Sequence, residues 1–509
     1  MPPGAPHDVA MQRIEIDGLP VFTADGPERV TAALMFGVGL RDETFATVGV
    51  THLIEHLVMG TLPKSHLQSN ALVDIDSTVF YATGRPDAVR AFVEAVCRAI
   101  SDLPLDRMPL EIGVLQAENC AGSHSTVAAL LGARYGLRGP GLTVTAGGAG
   151  PEFLTEAVVR DHLRRWFVRE NAALVWHGPL PEGMSLRLPS GPRPLRPVPE
   201  PCHQPGPFWT QGPVFDGAGL LLVGPPRDPA LTIAVRVLEE RMGDIARHAR
   251  GLSYSAGVEF VDSAPDRRDI ALYVDAREGK AAEVARLLWE QYWSLSGEGP
   301  TAEEIAHVVA GLEEELDGDV DEFVQGELSA AARSQVQQVP FLSLRDVLEP
   351  WRAVTPEQAA AALCATRGTA IVAVPEGVEL LTALDTIGKR FYCGIAPQLP
   401  TGAVFRPSAL KRLGRSARRM QLVIADVGLG HRDEDGDDHF IAWPDIEAVV
   451  PLETGDGFVV VGRNMCTFPV VPELFGKAPC QEVRVRIPAE RWMARPVPAG
   501  ATPVSVPVG

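Results

Sequence analysis

The pentapeptide HLIEH places two histidines and a glutamate close together in the chain. The surrounding segment, from Gly49 to Met59, has the apolar spacing of a helix. His52 and His56 would project from one face of that helix and could bind one metal ion. Glu55 would lie near enough to take a proton from a metal-bound water. The alternative is a solvated helix face. It is less favoured, because the apolar neighbours would pack this helix against a core and leave the polar residues without a role.

The order HxxEH is the inverted form of the zinc-peptidase motif, and chance would produce it only about 0.04 times in a chain of this composition. Such a zinc site needs a third protein ligand and an open position for water. A second helix, expected at about 109–120, carries Glu111 and Glu118 about two turns apart on one face. Glu118 is the best candidate for the third ligand, and Glu111 could hold a histidine ring. For Glu111, an ordinary surface glutamate is an equally good interpretation.

The composition argues against several classes of function. The chain has 509 residues, with 46 Lys and Arg against 65 Asp and Glu, and a formal net charge of −19. A protein this acidic is a poor candidate for binding nucleic acid or an anionic membrane, although a local basic patch could exist. Its seven cysteines are scattered without a CxxC pair, which argues against a thiolate zinc cluster and a disulfide framework. No secretory signal or apolar run of membrane-spanning length is visible, so we expect a soluble, cytoplasmic protein.

Proline-rich stretches divide the chain. We predict domains at 1–185 and 215–394, a Pro-rich linker at 186–214 without regular helix or inner strand, and a last domain at 403–509. The first two domains mix strands with long helices and end in a short apolar strand, which predicts two related α/β domains in tandem. The last domain has short strands between turns, including CQEVRVRIP (480–488), and predicts a small all-β barrel or sandwich. The fold class is therefore α+β.

Together these features resemble the pitrilysin/insulinase-type zinc metallopeptidases, a family that includes mitochondrial processing peptidases. That family has a helix with HxxEH, a Gly-Thr step, an Asn-Ala strand, and then a helix with two glutamates seven residues apart. The resemblance covers about residues 10–392, and the stretch between Thr61 and Asn70 is shorter than usual. The matching segments are FGVGLRDE (36–43), GVTHLIEHLVMGT (49–61) and SNALVDIDSTVFYA (69–82), followed by Glu111 and Glu118.

The resemblance implies a Zn²⁺ ion on His52, His56 and Glu118. It further implies that Glu55 is the general base and that Glu111 supports the site as a second-shell acid.

The resemblance also implies two substrate-binding regions. The strand at Asn70 and Ala71 could pair with an extended peptide. Arg247 and Tyr254, in RHARGLSYSAGV, have the spacing of an Arg and a Tyr that contact the substrate backbone in this family. Tyr254 would bind the developing oxyanion and Arg247 a nearby carbonyl. The alternative is that Tyr254 is a strand residue and Arg247 a cation at a helix end.

Members of this family usually enclose a chamber with four such domains, and this chain supplies two. It resembles the half-length members in which two chains pair, so we expect a homodimer or a heterodimer with another family member, acting on short or unstructured peptides. Two alternatives stay open: a non-catalytic subunit of a heterodimeric peptidase, and a structural or interaction protein that works through its last domain. That domain resembles a pleckstrin-homology-like barrel in its IAWPDIEAVV strand and turn.

Two charged segments have simpler interpretations than ligand binding. HRDEDGDDH (431–439) lacks the spacing of an EF-hand calcium loop, so we interpret it as the solvated tip of a hairpin. LKRLGRSARR (410–419) could meet a phospholipid or an acidic partner, but a charged linker is the simpler account.

Overall fold

The alternation of short apolar strands with amphipathic helices produces, in the computed structural model, two six-stranded sheets and two smaller ones. By its internal contacts the chain divides into two units. The first comprises residues 1–43, 49–146 and 156–391, and the second comprises 44–48, 147–155 and 392–509. The structure describes residues 11–119, 126–145, 150–202, 206–212, 217–316, 318–380, 384, 387–389, 396, 398–408, 416–452 and 456–493.

The first sheet lies in the first unit. Its strands are β1 (Gln12–Ile16), β2 (Leu19–Ala24), β3 (Val30–Phe36), β4 (Gln68–Val73), β5 (Thr78–Gly84) and β6 (Ala172–His177). Their order is β1-β2-β6-β3-β5-β4, with only β2 and β6 parallel. The helices that follow these strands are α1 (Val50–Met59), α2 (Pro86–Ser101), α3 (Met108–Asn119), α4 (Thr126–Tyr135) and α5 (Glu156–Trp166).

The second sheet lies in the same unit. Its strands are β7 (Phe208–Gly212), β8 (Gly217–Gly224), β9 (Ala256–Ala264), β10 (Arg267–Asp275), β11 (Ile371–Pro375) and β12 (Gly388–Lys389). Its helices are α6 (Pro229–Met242), α7 (Ala281–Glu298), α8 (Ala302–Leu316), α9 (Val320–Gln337), α10 (Leu344–Arg352) and α11 (Pro356–Ala365).

The two sheets repeat one connectivity. The first contains the run β2-β6-β3-β5-β4 and the second the run β7-β11-β8-β10-β9. In each run the first strand pairs in parallel with the strand that comes latest in the sequence, β6 in the first sheet and β11 in the second. The remaining pairs in each run are antiparallel. The predicted fold class, with two related α/β parts in tandem, is therefore confirmed.

The proline-rich segment between the two sheets differs from its prediction. Residues 186–202 have no regular secondary structure, but β7 lies inside the predicted linker and is an inner strand, between β12 and β11. The expectation that 186–214 would contain no inner strand is wrong at this point. The last proline before β7 is Pro207 and the next is Pro213, so the backbone N–H groups of Phe208–Gly212 remain available to the ladder.

Helix α9 belongs to the second half of the first unit, yet it packs on the first sheet. Its residues Val324, Leu328 and Val336 are buried against Ala33 and Val175 of that sheet. Because side chains alternate along a strand, the opposite face of β3 and β6 is left for the helices of the first half, among them α2. The sheet is thus covered on both faces, which explains why every residue of β6 is buried.

The second unit contains two antiparallel sheets. The first is β13 (Ala403–Phe405), β14 (Gln421–Ile424), β15 (Gly428–Arg432) and β16 (Asp438–Ala442), and the second is β17 (Ile446–Pro451), β18 (Phe458–Gly462) and β19 (Thr467–Val470). Asp433 Oδ1 accepts backbone N–H groups across the tip between β15 and β16, so HRDEDGDDH does form a hairpin tip. Most of the basic run 410–419 lies outside the described residues.

One strand predicted in this unit is a helix. After α12 (Pro472–Phe475), α13 spans Lys477–Arg486 and includes most of the segment predicted as a strand at 480–488. The alternation of Val and Arg there is typical of a strand. In the structure, however, Cys480, Val483 and Ile487 enter the core at helical spacing, while Val485 is 82% exposed. None of the described helices combines the length and apolar character that crossing a lipid bilayer requires.

Candidate metal centre

Helix α1 separates an apolar face from a polar one. Leu53, Ile54, Leu57 and Val58 are fully buried, and this packing turns the side chains of His52, Glu55 and His56 away from the apolar core. The helix starts at Gly49, whose φ of +87° is a left-handed conformation that glycine adopts without strain.

A carboxylate holds the first turn of α1. Glu43 Oε2 accepts the N–H of Gly49 at 2.8 Å and Glu43 Oε1 accepts that of Thr51 at 2.9 Å. These N–H groups have no partner within the helix, so the carboxylate satisfies them.

Helix α3 lies beside α1 and brings Glu118 to both histidines. Glu118 Oε2 is 3.7 Å from His52 Nε2 and 3.5 Å from His56 Nε2. The two imidazole rings are 4.7 Å apart at their centroids. Ligand atoms bound tetrahedrally to zinc at about 2.0–2.1 Å are about 3.3 Å from one another. The donor set of two imidazole nitrogens and one carboxylate oxygen therefore fits such an ion in type and in spacing.

Glu55 lies against the same cluster but is more deeply buried than Glu118. Its Oε2 is 3.7 Å from Nε2 of both His52 and His56, and the ligand atoms of these three residues all lie within 4.8 Å of one another. Burial raises the pKa of Glu55 to about 7. The charge of His56 opposes this rise, while the charges of Glu118 and Glu111 add to it. A carboxyl group in this position can gain and release a proton near neutral pH.

The surroundings of His52 favour its neutral form. Burial lowers its pKa, the charge of His56 lowers it further, and Glu118 opposes the change. Although Glu118 lies within ion-pair distance, the cost of burying an imidazolium outweighs that attraction. A neutral imidazole presents a lone pair, which is the form that binds a metal ion.

The remaining nitrogen of His56 faces Glu111. Glu111 Oε2 is 3.5 Å from His56 Nδ1, and Glu111 Oε1 accepts a 2.6 Å hydrogen bond from Arg107. Glu111 is buried, so the surface-glutamate interpretation of this residue is wrong. Gly60 permits the close approach of the two helices, since a Cβ there would lie 2.8 Å from Glu111 Oε1. The sequence reasoning missed Arg107, which the spacing of Arg107 and Glu111, one helical turn apart, could have indicated.

Asn70 and Ala71 lie on the edge strand of the first sheet. They pair with Tyr81 and Phe80 of β5, and β4 ends the sheet order. Within the part of the chain that the structure describes, the other side of β4 has no strand neighbour. β4 also contacts α1, so a free row of backbone groups runs beside the helix that carries HLIEH.

Arg247 and Tyr254 lie together but apart from this cluster. Helix α6 continues as a π-helix, Gly243–Ala249, which carries Arg247, and the Arg247 guanidinium lies 5.0 Å from the Tyr254 ring centroid. Tyr254 is 75% exposed in the loop before β9, so the strand expected to start at this residue begins two positions later. Asp275, which the sequence reasoning missed, holds that loop by accepting N–H groups from Tyr254 and Ser255. Among the described residues, neither Arg247 nor Tyr254 bonds to the α1–α3 cluster.

Comparison with solved structures finds this architecture in chains of the M16 peptidase fold. No family model and no curated protein sequence matches the chain. The inactive domain of a peptidase M16 from Pseudomonas fluorescens matches with a TM-score of 0.57 and 16% identity, over 73% of this chain and 100% of that one. The first half of the periplasmic protease PqqL from Escherichia coli matches with a TM-score of 0.54 and 17% identity, over 75% of this chain and 95% of that one.

Pitrilysin is a longer relative by structure. It matches with a TM-score of 0.51 and 15% identity over 74% of this chain, but the match spans only 46% of the pitrilysin chain. These identities show likeness of fold alone. The chain therefore shares the fold of M16 peptidases and corresponds to about half of the pitrilysin chain.

Proposed function

We propose that this chain is a zinc-dependent endopeptidase, with His52, His56 and Glu118 as the metal ligands. The observation that carries this proposal is the convergence of Glu118 Oε2 on Nε2 of both histidines, at 3.5 and 3.7 Å. The spacing suits a tetrahedral ion, and the fold is one found in peptidases. Glu118 is half exposed, which leaves the ligand cluster open to a substrate on one side.

Zinc bound there would supply Lewis-acid chemistry, polarising the scissile carbonyl and making a water molecule more acidic. Glu55 takes the proton from the attacking water and returns it to the leaving amine. Burial beside two imidazoles raises the pKa of this carboxyl to about 7, so both proton transfers are feasible at neutral pH. Glu111, balanced by Arg107, fixes the ring of His56 through Nδ1, so that Nε2 points at the ligand cluster.

The substrate is an extended peptide. β4 offers an unpaired edge next to α1, and backbone hydrogen bonds to the strand at Asn70 and Ala71 would set the peptide in register. Arg247 and Tyr254 would contact the peptide backbone from a second chain, with the Tyr254 hydroxyl facing the oxyanion. The exposure of Tyr254 supports this role.

Two chains would form one chamber. The chain matches 95% of the half-length PqqL fragment but 46% of pitrilysin, so it corresponds to half of the longer enzyme. A chamber closed by a pair of chains would admit short or unstructured peptides. The partner is a second copy or another member of the fold family. The cytoplasmic location stays a prediction, as does the pleckstrin-homology-like character of the second unit.

A non-catalytic subunit is the second candidate. The similar Pseudomonas fluorescens structure is an inactive domain, so this fold occurs without catalysis. Zinc content separates the two candidates. A catalytic chain would bind one zinc per chain and lose it in His52→Ala, whereas a non-catalytic chain would bind less than one, unaffected by that change.

The test of catalysis is Glu55→Gln. We expect this variant to keep zinc and to bind peptides but to lose cleavage by at least about a hundredfold, because the amide cannot accept the proton. Cleavage of a mixed peptide library is measured by mass spectrometry, with and without a chelator. Glu322→Gln, at an exposed position of α9, is the matched control and should cleave normally. Full activity of Glu55→Gln, or cleavage that persists with chelator, would overturn the proposal.

A further inference from the structure

A cavity of about 250 Å³ lies in the first unit, away from the residues of the metal centre. Arg41 and Asp76 line it from the first half, and Arg193 and Arg196 from the segment between the halves. Asp262 and the C-terminal end of α9 line it from the second half. The wall therefore joins both halves of the unit, and its charged residues are three arginines and two aspartates among mostly apolar and neutral polar neighbours.

The carboxylates of this wall are already neutralised. Asp262 forms a bidentate pair with Arg268, at 2.5 and 2.9 Å. Asp76 accepts from Arg333 at 3.3 Å and from Gln337. Neither Arg268 nor Arg333 lines the cavity, so these two carboxylates are balanced by cations outside it.

Two of the three arginines in the wall have no such balance. Arg196 forms a bidentate pair with Asp42, at 2.8 and 2.7 Å. Arg41 instead donates to two backbone carbonyls at the end of β9, and Arg193 donates to two at the end of α9. Within the described residues, no carboxylate oxygen lies within 4 Å of either guanidinium.

The wall thus carries three arginines against two aspartates, which leaves it with a net positive charge. Burial, followed by the nearby charge of Arg196, lowers the pKa of Arg41 and lowers that of Arg193 to about 10, while the charges of Asp42 and Asp76 oppose the change at Arg41. Both shifts mean that cationic charge is costly here, and an anion would offset that cost.

We propose that this cavity binds a small dianion that carries a phosphate group, held by Arg41 and Arg193. Two guanidinium groups without a carboxylate within 4 Å suit the negative charge of a phosphate monoester, which is nearly doubly ionised at pH 7. Planar guanidinium groups also match tetrahedral oxyanions in geometry. The volume equals that of roughly eight water molecules, so an organic part fits beside the phosphate. Because the wall joins both halves of the unit, the bound dianion stabilises their association.

The first test is thermal unfolding of the full chain with inorganic phosphate or glycerol 3-phosphate, against sodium chloride at equal ionic strength. At about a hundredfold above Kd, we expect the midpoint of the transition to rise by roughly 3 °C. A rise with phosphate alone identifies the free ion as the ligand, and a larger rise with the ester identifies an organic phosphate. No rise with either compound beyond that of chloride overturns the proposal.

The second test assigns the site. Arg193→Gln, which is only half-buried, should weaken phosphate binding by at least about tenfold in calorimetry, since it removes a charged donor. Arg41→Lys keeps the charge but loses the planar fork, and it should also weaken binding. Arg286→Gln, at an exposed position of α7, removes the same charge elsewhere and should leave Kd unchanged. Equal affinity in Arg193→Gln and Arg286→Gln would show that phosphate does not bind in this cavity.

Discussion

At the scale of single residues, the candidate metal centre sets a carboxylate beside each ring nitrogen of one histidine. His56 has Glu118 near Nε2 and Glu111 near Nδ1, so both ring nitrogens face a carboxylate. Arg107 balances the charge of Glu111 at 2.6 Å, which makes the burial of that glutamate tolerable. The ring orientation is therefore set before any metal binds.

We predict that Glu111→Gln weakens zinc binding by about ten- to a hundredfold, because the amide supports the ring of His56 less well. The measurement is zinc affinity in a competition assay with a chelating dye. Asp106→Asn is the control, because Asp106 is exposed and this substitution removes the same charge. If both variants bind zinc equally well, Glu111 does not position His56.

His162 is a buried histidine that lies behind α1. His162 Nε2 is 3.0 Å from Thr51 Oγ1, and burial lowers the pKa of His162 from 6.5 to about 3. The group is neutral in the folded chain, so its contribution to stability is complete above pH 6.5 and is lost as pH falls toward 3. Glu43 acts in the opposite direction, because burial raises its pKa to about 7 and its cost grows between pH 4.5 and 7.

We predict that His162→Gln removes part of the acid sensitivity of folding. Between pH 6 and pH 5 the wild type should lose about 1.4 kcal/mol more unfolding free energy than the variant, since one group stops titrating. Urea unfolding at several pH values measures this difference. Glu43 is present in both proteins, so its contribution cancels when the two are compared. His66→Gln, at an exposed position, should follow the wild type. Parallel pH profiles for the wild type and His162→Gln would contradict the prediction.

At the scale of elements, α9 unites the two halves of the first unit. It comes after β10 in the chain, yet Leu328 and its neighbours fill the face of the first sheet. The first sheet therefore lacks the helix that covers one of its faces unless the second half is present. The predicted boundary at residue 185 separates segments that share this core.

We predict that Leu328→Ala lowers the unfolding free energy by about 2–5 kcal/mol, because the fully buried side chain leaves a cavity under the sheet. The variant should still unfold in a single transition for the first unit. Glu322→Ala, on the exposed side of the same helix, should change stability by less than about 0.5 kcal/mol. A cost for Leu328→Ala as small as that of the control would show that α9 does not share the core of the first sheet.

At the scale of the whole molecule, the proposed function requires two chains. One chain carries both the α1–α3 cluster and the Arg247–Tyr254 pair, but among the described residues no hydrogen bond or ion pair joins them. In a symmetric pair, each metal centre would use the Tyr254 of the other chain. The particle should then have twice the 54.6 kDa mass of one chain.

We predict that an equal mixture of Glu55→Gln and Tyr254→Phe, exchanged by refolding, recovers about a quarter of wild-type activity, although each variant alone is nearly inactive. In the mixed dimer, one of the two sites contains an intact Glu55 and an intact Tyr254. Peptide cleavage and light scattering on the same sample measure recovery and mass. Failure to recover activity in a particle of dimer mass would mean that the site does not combine residues from two copies of this chain.

Local spacing alone was enough to predict the helices that carry the candidate site. The i, i+4 histidines and the glutamates two turns apart depend only on helix geometry, and apolar periodicity placed α1 and α3 within one or two residues of their observed ends. The tandem α+β organisation was also predictable, because strands between long helices specify layered sheets. The roles of these histidines and glutamates in zinc binding and catalysis stay predictions.

Only the tertiary structure decided features that depend on distant segments. The Val and Arg alternation at 480–488 is compatible with a strand, and the core of the second unit, which accepts Cys480, Val483 and Ile487, selected the helix α13. Likewise β7 gained its place between β11 and β12, and α9 its place on the first sheet, through contacts far apart in sequence. The sequence by itself determined which residues could do chemistry, because that follows from local periodicity. The tertiary structure decided which residues meet, because burial and charge balance are set by segments that no local pattern connects.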